Sequence, residues 1–514
     1  MFMRLMTKSK KLAVSLTYIS IIIQALSTMF LTSFYLRELG SDTYGLFQMI
    51  NAVAQYILIL DLGISTVMIR YISEFDARDN HQKSENFAFH FGIVVLLVLA
   101  GIVSIGIAVN LNIENIYPSL TSDEYDIAHN MFVFIIIQLA FTVVCHYFQG
   151  MSLAYEQYSF EKIVTIVQIL LNTVLVVLFI KFGMGILGIV IANAAVIALH
   201  TVVSMLYSFF AVKFRIRFHG WELSILRPAG VLMIALLLQA IVGHVNGSVD
   251  KTILGIMTTK TDVAVYAVAA TIITMFNTLP MAVSSVFQPE AVRLVTANSS
   301  GERLTSFVIR PGRIQFMLLG GFFGGFLLFG QDFIICWTNK EMLDAWKYVL
   351  IIMIPNAVPL VQNTTLSVLN ALDKRIYRSV ILVALTFMNI GLTVALIPVL
   401  GPIGAPVGTS ISYVIGHVIL MNVYYQKKIG LNVPRMFKGF VDRTWICIAV
   451  SIIVNIPLVF WQVEGNWWVL LIKALAFCSV YIVLLVVFGF NSDEKQMMTS
   501  ILTKLNFIKR LKRR

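Results

Sequence analysis

The chain has 514 residues, of which 58% are hydrophobic and only 12% charged, and its formal net charge is +12. Soluble globular proteins carry about 25% charged residues, so too little polar surface is available here for a water-soluble body of this size. The apolar residues occur in blocks of roughly 20, the length at which a helix crosses a bilayer core of about 30 Å. The alternation typical of a transmembrane β-strand is missing. The composition therefore predicts an all-α membrane protein.

About fourteen transmembrane helices are predicted, and we number them as spans 1 to 14. The first apolar block is too long for the h-region of a signal peptide and lacks a small-residue cleavage site, so we expect it to be span 1. The spans are expected at residues 12–36, 44–70, 87–110, 127–149, 163–180, 186–211, 229–254, 263–288, 311–336, 344–369, 378–399, 403–425, 444–462 and 466–489.

Basic residues are distributed unevenly between the predicted loops. If both termini are cytoplasmic, the cytoplasmic segments hold 31 of the 38 Lys and Arg residues. The longest outward loop, Leu111–Asp126, has no Lys or Arg and four acidic residues. Because cytoplasmic loops are rich in Lys and Arg, this pattern predicts cytoplasmic termini and an even number of spans. It also explains most of the positive charge without a nucleic-acid partner, and places the basic tail 490–514 near anionic lipid headgroups.

Several kinds of catalytic or cofactor site are not indicated by the sequence. The chain has no Walker A loop, no HExxH motif and no recognisable Ser/His/Asp arrangement. Its four cysteines lack CxxC spacing, which favours structural thiols over a metal site. Every loop between spans is predicted to be short, so no soluble domain of useful size is expected. Transport, intramembrane catalysis and a structural role remain open, and no cofactor is expected.

Polar side chains recur at steps of three and four residues along spans 1, 2, 7 and 8, which places them on one face of each helix. Such a stripe is costly against lipid and should face another helix or a water-filled cavity. A single Ser or Thr is better explained by hydrogen bonding between helices, whereas four long stripes favour a shared cavity. The candidate cavity residues of this type are Gln24, Gln55, Gln239, Asn246 and Asn277.

A short pattern occurs twice in the chain. Leu39 and Gly40 precede a polar turn and Tyr44, and Leu254 and Gly255 precede a similar turn and Tyr266. The repeat suggests two six-span halves in the same orientation, a common plan in transporters. The predicted divisions are an N-terminal lobe at 1–212, a C-terminal lobe at 213–425, two extra spans at 426–489 and the tail at 490–514.

The same regions resemble bacterial polysaccharide flippases (Wzx-like) of the multidrug/oligosaccharidyl-lipid/polysaccharide exporter superfamily. In the second half, Ala264 departs from the Gly expected before Val265 and Tyr266. Over the whole chain, the predicted number of spans, the cytoplasmic termini and the short loops are also similar to those of this family. The stretches that carry it are Leu36-Arg37-Glu38-Leu39-Gly40, Tyr44-Gly45-Leu46-Phe47, Leu60-Asp61-Leu62-Gly63, Ile69-Arg70-Tyr71, Asp250, Ile253-Leu254-Gly255 and Val265-Tyr266.

This resemblance implies two six-helix lobes around a central cavity that opens alternately to each side of the bacterial plasma membrane. It implies that polyprenyl-diphosphate-linked oligosaccharide repeat units move from the cytoplasmic to the outer leaflet, for O-antigen, capsule or another surface polysaccharide, with polymerase machinery as a partner. A drug or cation exporter of the same superfamily is the first alternative. A membrane polysaccharide polymerase or ligase is the second, and the short outward loops argue against it.

Charged residues in or near the spans are the remaining candidates. Intramembrane acids are functional hypotheses by default, and without an ATP site we expect any driving force to come from H⁺ or Na⁺. Basic groups can hold a diphosphate. For each residue the competing explanation is a structural ion pair or the positive-inside flank. The candidates are Asp61, Arg70, Asp250, Lys251, Arg310 and Arg313.

Overall fold

The computed structural model describes residues 10–495 except 62, 298, 373–374, 462, 464 and 492–493. Every regular secondary-structure element within these residues is helical, and none is a β-strand. Eleven helical segments among them are long and apolar enough to cross a membrane. The protein is thus an all-α, multi-pass membrane protein, as the composition predicts.

The chain divides into two compact units. The first unit comprises the described residues up to Val268 together with Ile390–Ala405, and the second comprises Ala269–Asn389 and the described residues from Pro406 onward. The first nine helices are α1 Lys10–Glu38, α2 Ser41–Ile57, α3 Ile64–Asp76, α4 His81–Leu111, α5 Ser122–Ala154, α6 Tyr158–Phe179, α7 Gly185–Phe210, α8 Arg227–Met257 and α9 Lys260–Thr296.

Eight further helices complete the described chain. Helix α14 continues in π-helical and α-helical turns to Ile429. These helices are α10 Gly301–Trp337, α11 Ala345–Val361, α12 Asn363–Ala371, α13 Arg375–Leu400, α14 Gly404–Tyr413, α15 Val433–Val441, α16 Thr444–Val459 and α17 Trp467–Leu484.

The count of fourteen spans stays a prediction. Two of the eleven segments, Tyr158–Phe210 and Tyr377–Ile429, are 53 residues long, and each contains two of the predicted spans. Gly183 and Gly401, where the sequence predicts loops, have φ angles of 84° and 69°. Glycine adopts this left-handed region without steric cost, so both segments are broken there. Helix α8, which corresponds to span 7, includes side chains that the structure does not describe, and it is not among the eleven.

The predicted span 2 is interrupted rather than continuous. Helix α2 ends at Ile57, a 3₁₀ turn runs over Leu58–Asp61, and α3 begins at Ile64 after Gly63, whose φ is 66°. A Cβ at Gly63 would approach Leu236 of α8 within 2.6 Å. The break therefore combines a left-handed backbone with close packing, and it fixes where the Asp61 side chain points.

Helix α5 lies at the centre of the first unit and packs against α3, α4 and α7. It begins with a capping box, in which the Thr121 side chain accepts from the backbone of Glu124 and the Glu124 side chain accepts from the backbone of Thr121. Both contacts satisfy backbone donors that a helix N-terminus leaves free. A Cβ at Gly150 would lie 2.6 Å from the Met68 Cβ, so a glycine allows α3 and α5 to approach closely.

In the second unit, α16 and α17 pack against a glycine-rich face of α10. Added Cβ atoms at Gly320, Gly321 and Gly324 would meet side chains of these two helices within 3.0 Å. The buried Lys473 of α17 donates to the Asp332 carboxylate of α10 at 2.7 Å. The last two predicted spans are therefore attached to α10 by close packing and an ion pair.

Candidate functional site

A cavity of about 450 Å³ lies inside the first unit between α1, α5, α6 and α7. This volume is within the range of about 300–1,000 Å³ found for small-molecule sites. Its lining is polar, although the surrounding helices are mostly apolar. Two imidazoles, His146 and His200, face it together with hydroxyl groups of α1, α5 and α6. Six carboxamide side chains also line it: Gln24, Gln138, Gln149, Gln168, Asn172 and Asn193.

Helical periodicity explains why these side chains converge. On α5 the lining residues Gln138, Thr142 and Gln149 are separated by four and seven positions, and therefore share one helical face. On α7, Asn193 and His200 are also seven positions apart. The cavity forms where such polar faces of four helices meet, so polar groups that would be costly against lipid lie inside the protein instead.

Hydrogen bonds join the helices around the cavity. Ser27 of α1 and Thr173 of α6 are 2.5 Å apart through their hydroxyl oxygens. The His200 Nδ1 of α7 lies 2.7 Å from the Gln168 Oε1 of α6. Within the described chain, the buried Asn172 Oδ1 and His200 Nε2 have no hydrogen-bond partner. The lining thus combines hydrogen-bonded polar groups, which fix the helices, with two buried polar atoms that have no partner within the described chain.

Asp61 lies behind the cavity wall. Its Oδ1 is 2.9 Å from Nδ1 of His146, and His146 itself lines the cavity. A second acid, the buried Glu161, accepts from Gln149 Nε2 at 3.2 Å, and Gln149 is also a lining residue. Among the described lining residues there is no Asp, Glu, Lys or Arg. Both acids therefore contact the cavity lining through hydrogen bonds to His146 and Gln149.

A second polar cluster of the first unit surrounds Asp250 on α8. The buried carboxylate accepts hydrogen bonds from the hydroxyls of Tyr266 and Thr393, the latter at 3.1 Å. Lys251 turns away from it and donates to Gln48 Oε1 on α2 at 3.0 Å. Adjacent helical residues point about 100° apart, as the sequence predicts for this pair. Asp250 and Lys251 consequently belong to different contacts and do not form an ion pair with each other.

The other predicted site residues of the first unit are more scattered. Gln55 of α2 is half-buried, and Arg70 of α3 is exposed, with its guanidinium carbon 5.7 Å from the centroid of the Tyr71 ring. The side chains of Gln239 and Asn246 lie outside the described residues. Of the predicted site residues, Gln24 is the one found in the cavity lining, and Asp61 contacts that lining through His146.

Three predicted site residues belong to the second unit. Asn277 of α9 accepts from Asn356 Nδ2 of α11 at 2.6 Å. Arg310 is exposed and lines a separate cavity of about 320 Å³. Arg313 is buried, and its Nε donates to Glu494 Oε1 at 2.9 Å while Nη1 donates to the Asp442 carbonyl at 2.8 Å. Arg313 is therefore held by protein groups, and the Glu494 carboxylate balances its charge.

Most of the cavity lining was not anticipated from the sequence. The polar pattern in span 1 pointed to Gln24, but the carboxamides of α5, α6 and α7 are spread singly through apolar helices. Their spacing of three, four and seven residues was the available signal. This spacing identifies cavity residues only when the packing of α1, α5, α6 and α7 shows that these faces meet.

A family model described as "Polysaccharide biosynthesis protein" matches residues 11–289, more than half of the chain. The chain belongs to this polysaccharide biosynthesis family. The matched region contains the whole cavity lining, from Gln24 to His200, as well as Asp61 and Asp250. The comparison with curated proteins found no match.

Solved structures show which fold this family member has. "Lipid II flippase MurJ, inward closed conformation" superposes with a TM-score of 0.68 at 14% identity, covering 92% of this chain and 97% of that one. An inward-facing multidrug resistance MATE family transporter of the MOP superfamily gives 0.61 at 14% identity, covering 81% and 99%. The Vibrio cholerae MATE transporter VcmN gives 0.56 at 15% identity, covering 82% and 98%. The chain therefore has the fold shared by these flippase and transporter structures.

Proposed function

We propose that this protein flips polyprenyl-diphosphate-linked oligosaccharide from the cytoplasmic to the outer leaflet of the bacterial plasma membrane, for export of a cell-surface polysaccharide. The observation that carries the proposal is the uncharged polar cavity inside a membrane-spanning unit, within the region that matches the polysaccharide biosynthesis family. The MurJ-like fold supports a flippase rather than an enzyme. Polysaccharide polymerase machinery is the expected partner that uses the flipped lipid.

The physical problem for such a protein is the hydration of the sugar-diphosphate headgroup. Moving polar groups without hydrogen-bond partners into an apolar medium costs several kcal/mol each. A cavity lined by carboxamides, hydroxyls and imidazoles supplies hydrogen-bond partners for the sugar hydroxyls of the headgroup, while the polyprenyl chain remains in the lipid. Alternating access then requires that the two lobes open in turn to each side of the membrane.

The orientation that this function requires has both termini in the cytoplasm. The uneven distribution of Lys and Arg supports it. The outward loop Leu111–Asp126 is acidic and has no basic residue, which would disfavour its retention on the cytoplasmic side. The headgroup is expected to enter from the side on which the basic loops lie.

We further propose that movement of H⁺ or Na⁺ drives the cycle through Asp61 or Asp250. Asp61 contacts a histidine of the cavity lining, and Asp250 is a buried carboxylate held by two hydroxyl groups. Buried or partly buried carboxylates of this kind respond strongly to a bound cation. Substitution of each acid distinguishes between the two carboxylates, and transport under an imposed gradient of one ion or the other distinguishes H⁺ from Na⁺.

The proposed function is tested by deleting the gene in a host that exports the polysaccharide. We expect surface polysaccharide to fall and lipid-linked repeat units to accumulate on the cytoplasmic side, with restoration by the wild-type chain. Normal export in the deleted strain, with no related flippase to replace the protein, would contradict the proposal.

Export of amphipathic organic cations is the second candidate function. It is favoured by the fold shared with MATE transporters and by the two acids behind the cavity wall, Asp61 and Glu161. A resistance assay separates the two functions. Overproduction should raise the tolerated concentration of ethidium or tetraphenylphosphonium if the protein exports cations, and should leave it unchanged if the protein is a polysaccharide flippase.

A further inference from the structure

Apart from its two imidazoles, the described lining of the first-unit cavity has neither charged nor aromatic side chains. The described lining residues include no Asp, Glu, Lys or Arg and no Phe, Tyr or Trp. An organic cation is normally held by a carboxylate or an aromatic face, and a diphosphate by Arg or Lys. Neither kind of partner faces this cavity, so its lining fits an uncharged polar group.

The lining is also rich in side chains that both donate and accept hydrogen bonds. A carboxamide offers two N–H donors and a carbonyl acceptor, and a neutral imidazole offers one of each. Sugar hydroxyl groups have the same dual character, which makes these side chains complementary to a pyranose ring. The four elements α1, α5, α6 and α7 each contribute at least one such group, so a ligand would be contacted from several directions.

Two buried polar atoms of lining residues have no hydrogen-bond partner within the described chain. The side chain of His200 is 6% exposed, and its Nε2 has no hydrogen-bond partner within the described chain, although Nδ1 is paired with Gln168. The Oδ1 of Asn172 is likewise buried and unpaired among the described residues. Buried polar atoms without a partner are rare in folded proteins because each costs free energy. The imidazole nitrogen can donate or accept a hydrogen bond and the carboxamide oxygen can accept one, and both atoms belong to residues that line the cavity.

We propose that this cavity is a glycosyl-binding site, which takes an uncharged sugar residue of the lipid-linked substrate and leaves the diphosphate and polyprenyl chain outside. The inference rests on the proposed function and names the part of the substrate that enters this cavity. Gln24, Asn172 and His200 are the residues expected to contact sugar hydroxyls. The volume of about 450 Å³ accommodates a sugar ring and is far too small for a polyprenyl chain.

The test compares binding of two lipids to the purified full-length protein by native mass spectrometry. One probe is the lipid-linked oligosaccharide extracted from cells that lack the protein, and the other is bare polyprenyl diphosphate of the same chain length. Wild-type protein should bind the glycosylated lipid more tightly. Gln24→Ala and Asn172→Ala should each weaken binding of the glycosylated lipid about fivefold, the effect of one lost uncharged hydrogen bond, and leave bare-lipid binding unchanged.

The matched control is Asn455→Ala, which removes a buried carboxamide of α16 that bonds within its own helix, at 2.8 Å to the Ser451 carbonyl. It should change neither affinity. Equal affinity of the wild type for both lipids, equal losses for both lipids in the cavity variants, or no loss at all would overturn the inference. Gln24 and Asn172 lie on different helices. If one variant fails to fold, the binding result of the other still tests the glycosyl-binding site.

The same experiment distinguishes this inference from the proposed function. If the wild type binds the glycosylated lipid selectively but does not flip it in liposomes, the proposed function fails and the glycosyl site stands. If it flips both lipids and the cavity variants bind both as the wild type does, the flippase stands and the glycosyl site fails. Displacement of the glycosylated lipid by tetraphenylphosphonium would also overturn the glycosyl assignment.

Discussion

At the scale of single residues, Asp61 and His146 connect the first-unit cavity to a charged group. The carboxylate is partly exposed, lies at the break between α2 and α3, and contacts the imidazole at 2.9 Å. A carboxylate that is hydrogen-bonded to an imidazole fixes the orientation of the ring. The pair therefore places a carboxylate directly behind a lining side chain, although the described lining itself has no Asp, Glu, Lys or Arg.

Substitution of the two candidate acids tests whether they couple ion movement to transport. Asp61→Asn keeps a hydrogen-bonding group beside His146 but removes the charge, and Asp250→Asn does the same beside Tyr266 and Thr393. If one acid couples the ion, its variant should export polysaccharide at least about tenfold more slowly, as for loss of a charged interaction of roughly 1.4 kcal/mol or more. Surface polysaccharide is measured at matched protein levels. Full activity of both variants would remove these acids from the mechanism.

At the scale of helices, α2 and the beginning of α9 approach each other closely within the first unit. A Cβ on Gly45 would overlap the Lys260 carbonyl. Gly45→Ala should therefore lower the thermal unfolding temperature, because backbone must move to admit a methyl group. Gly101→Ala on α4 is the matched control, since no atom lies within 4 Å of its added Cβ, and it should have little effect or stabilise the helix. Equal unfolding temperatures for both variants would contradict this packing.

The ion pair between α10 and α17 makes a second prediction at this scale. Lys473 is fully buried, and Asp332 is 23% exposed at its side chain. Asp332→Leu leaves the ammonium without its counter-ion and should reduce the free energy of unfolding in detergent by about 3 kcal/mol. Combining it with Lys473→Met removes both charges and should recover most of that loss. A double variant no more stable than Asp332→Leu would show that the pair is not the source of the effect.

The sequence is sufficient to predict where most helices lie in the chain, but not which helical faces pack against one another. Span 3, predicted at 87–110, appears as α4 His81–Leu111, because a continuous apolar block specifies a membrane helix by itself. The 3₁₀ break over Leu58–Asp61 is not predicted by the sequence, since it depends on Gly63 packing against α8. Gln24 was predicted as a cavity residue, but Asn172 and His200 become recognisable only when α1, α6 and α7 are packed together.

At the scale of the whole molecule, the orientation in the membrane is a separate prediction from the fold. With a cysteine-free background, Asn115→Cys in the acidic outward loop should react with a membrane-impermeant maleimide added to intact cells. Arg217→Cys, which follows α7 on the predicted cytoplasmic side, should react only after the membrane is permeabilised. The reverse labelling pattern would invert the topology and the proposed direction of transport.

The most direct test of the account is flipping by the purified full-length protein in liposomes that contain lipid-linked oligosaccharide extracted from the deleted strain. Accessibility of the sugar to an added oxidising or binding reagent reports which leaflet holds it. With an imposed H⁺ or Na⁺ gradient, we expect transfer between leaflets much faster than in protein-free liposomes. Transfer no faster than in the protein-free control, under either gradient, would contradict the proposal that this protein is a lipid-linked oligosaccharide flippase.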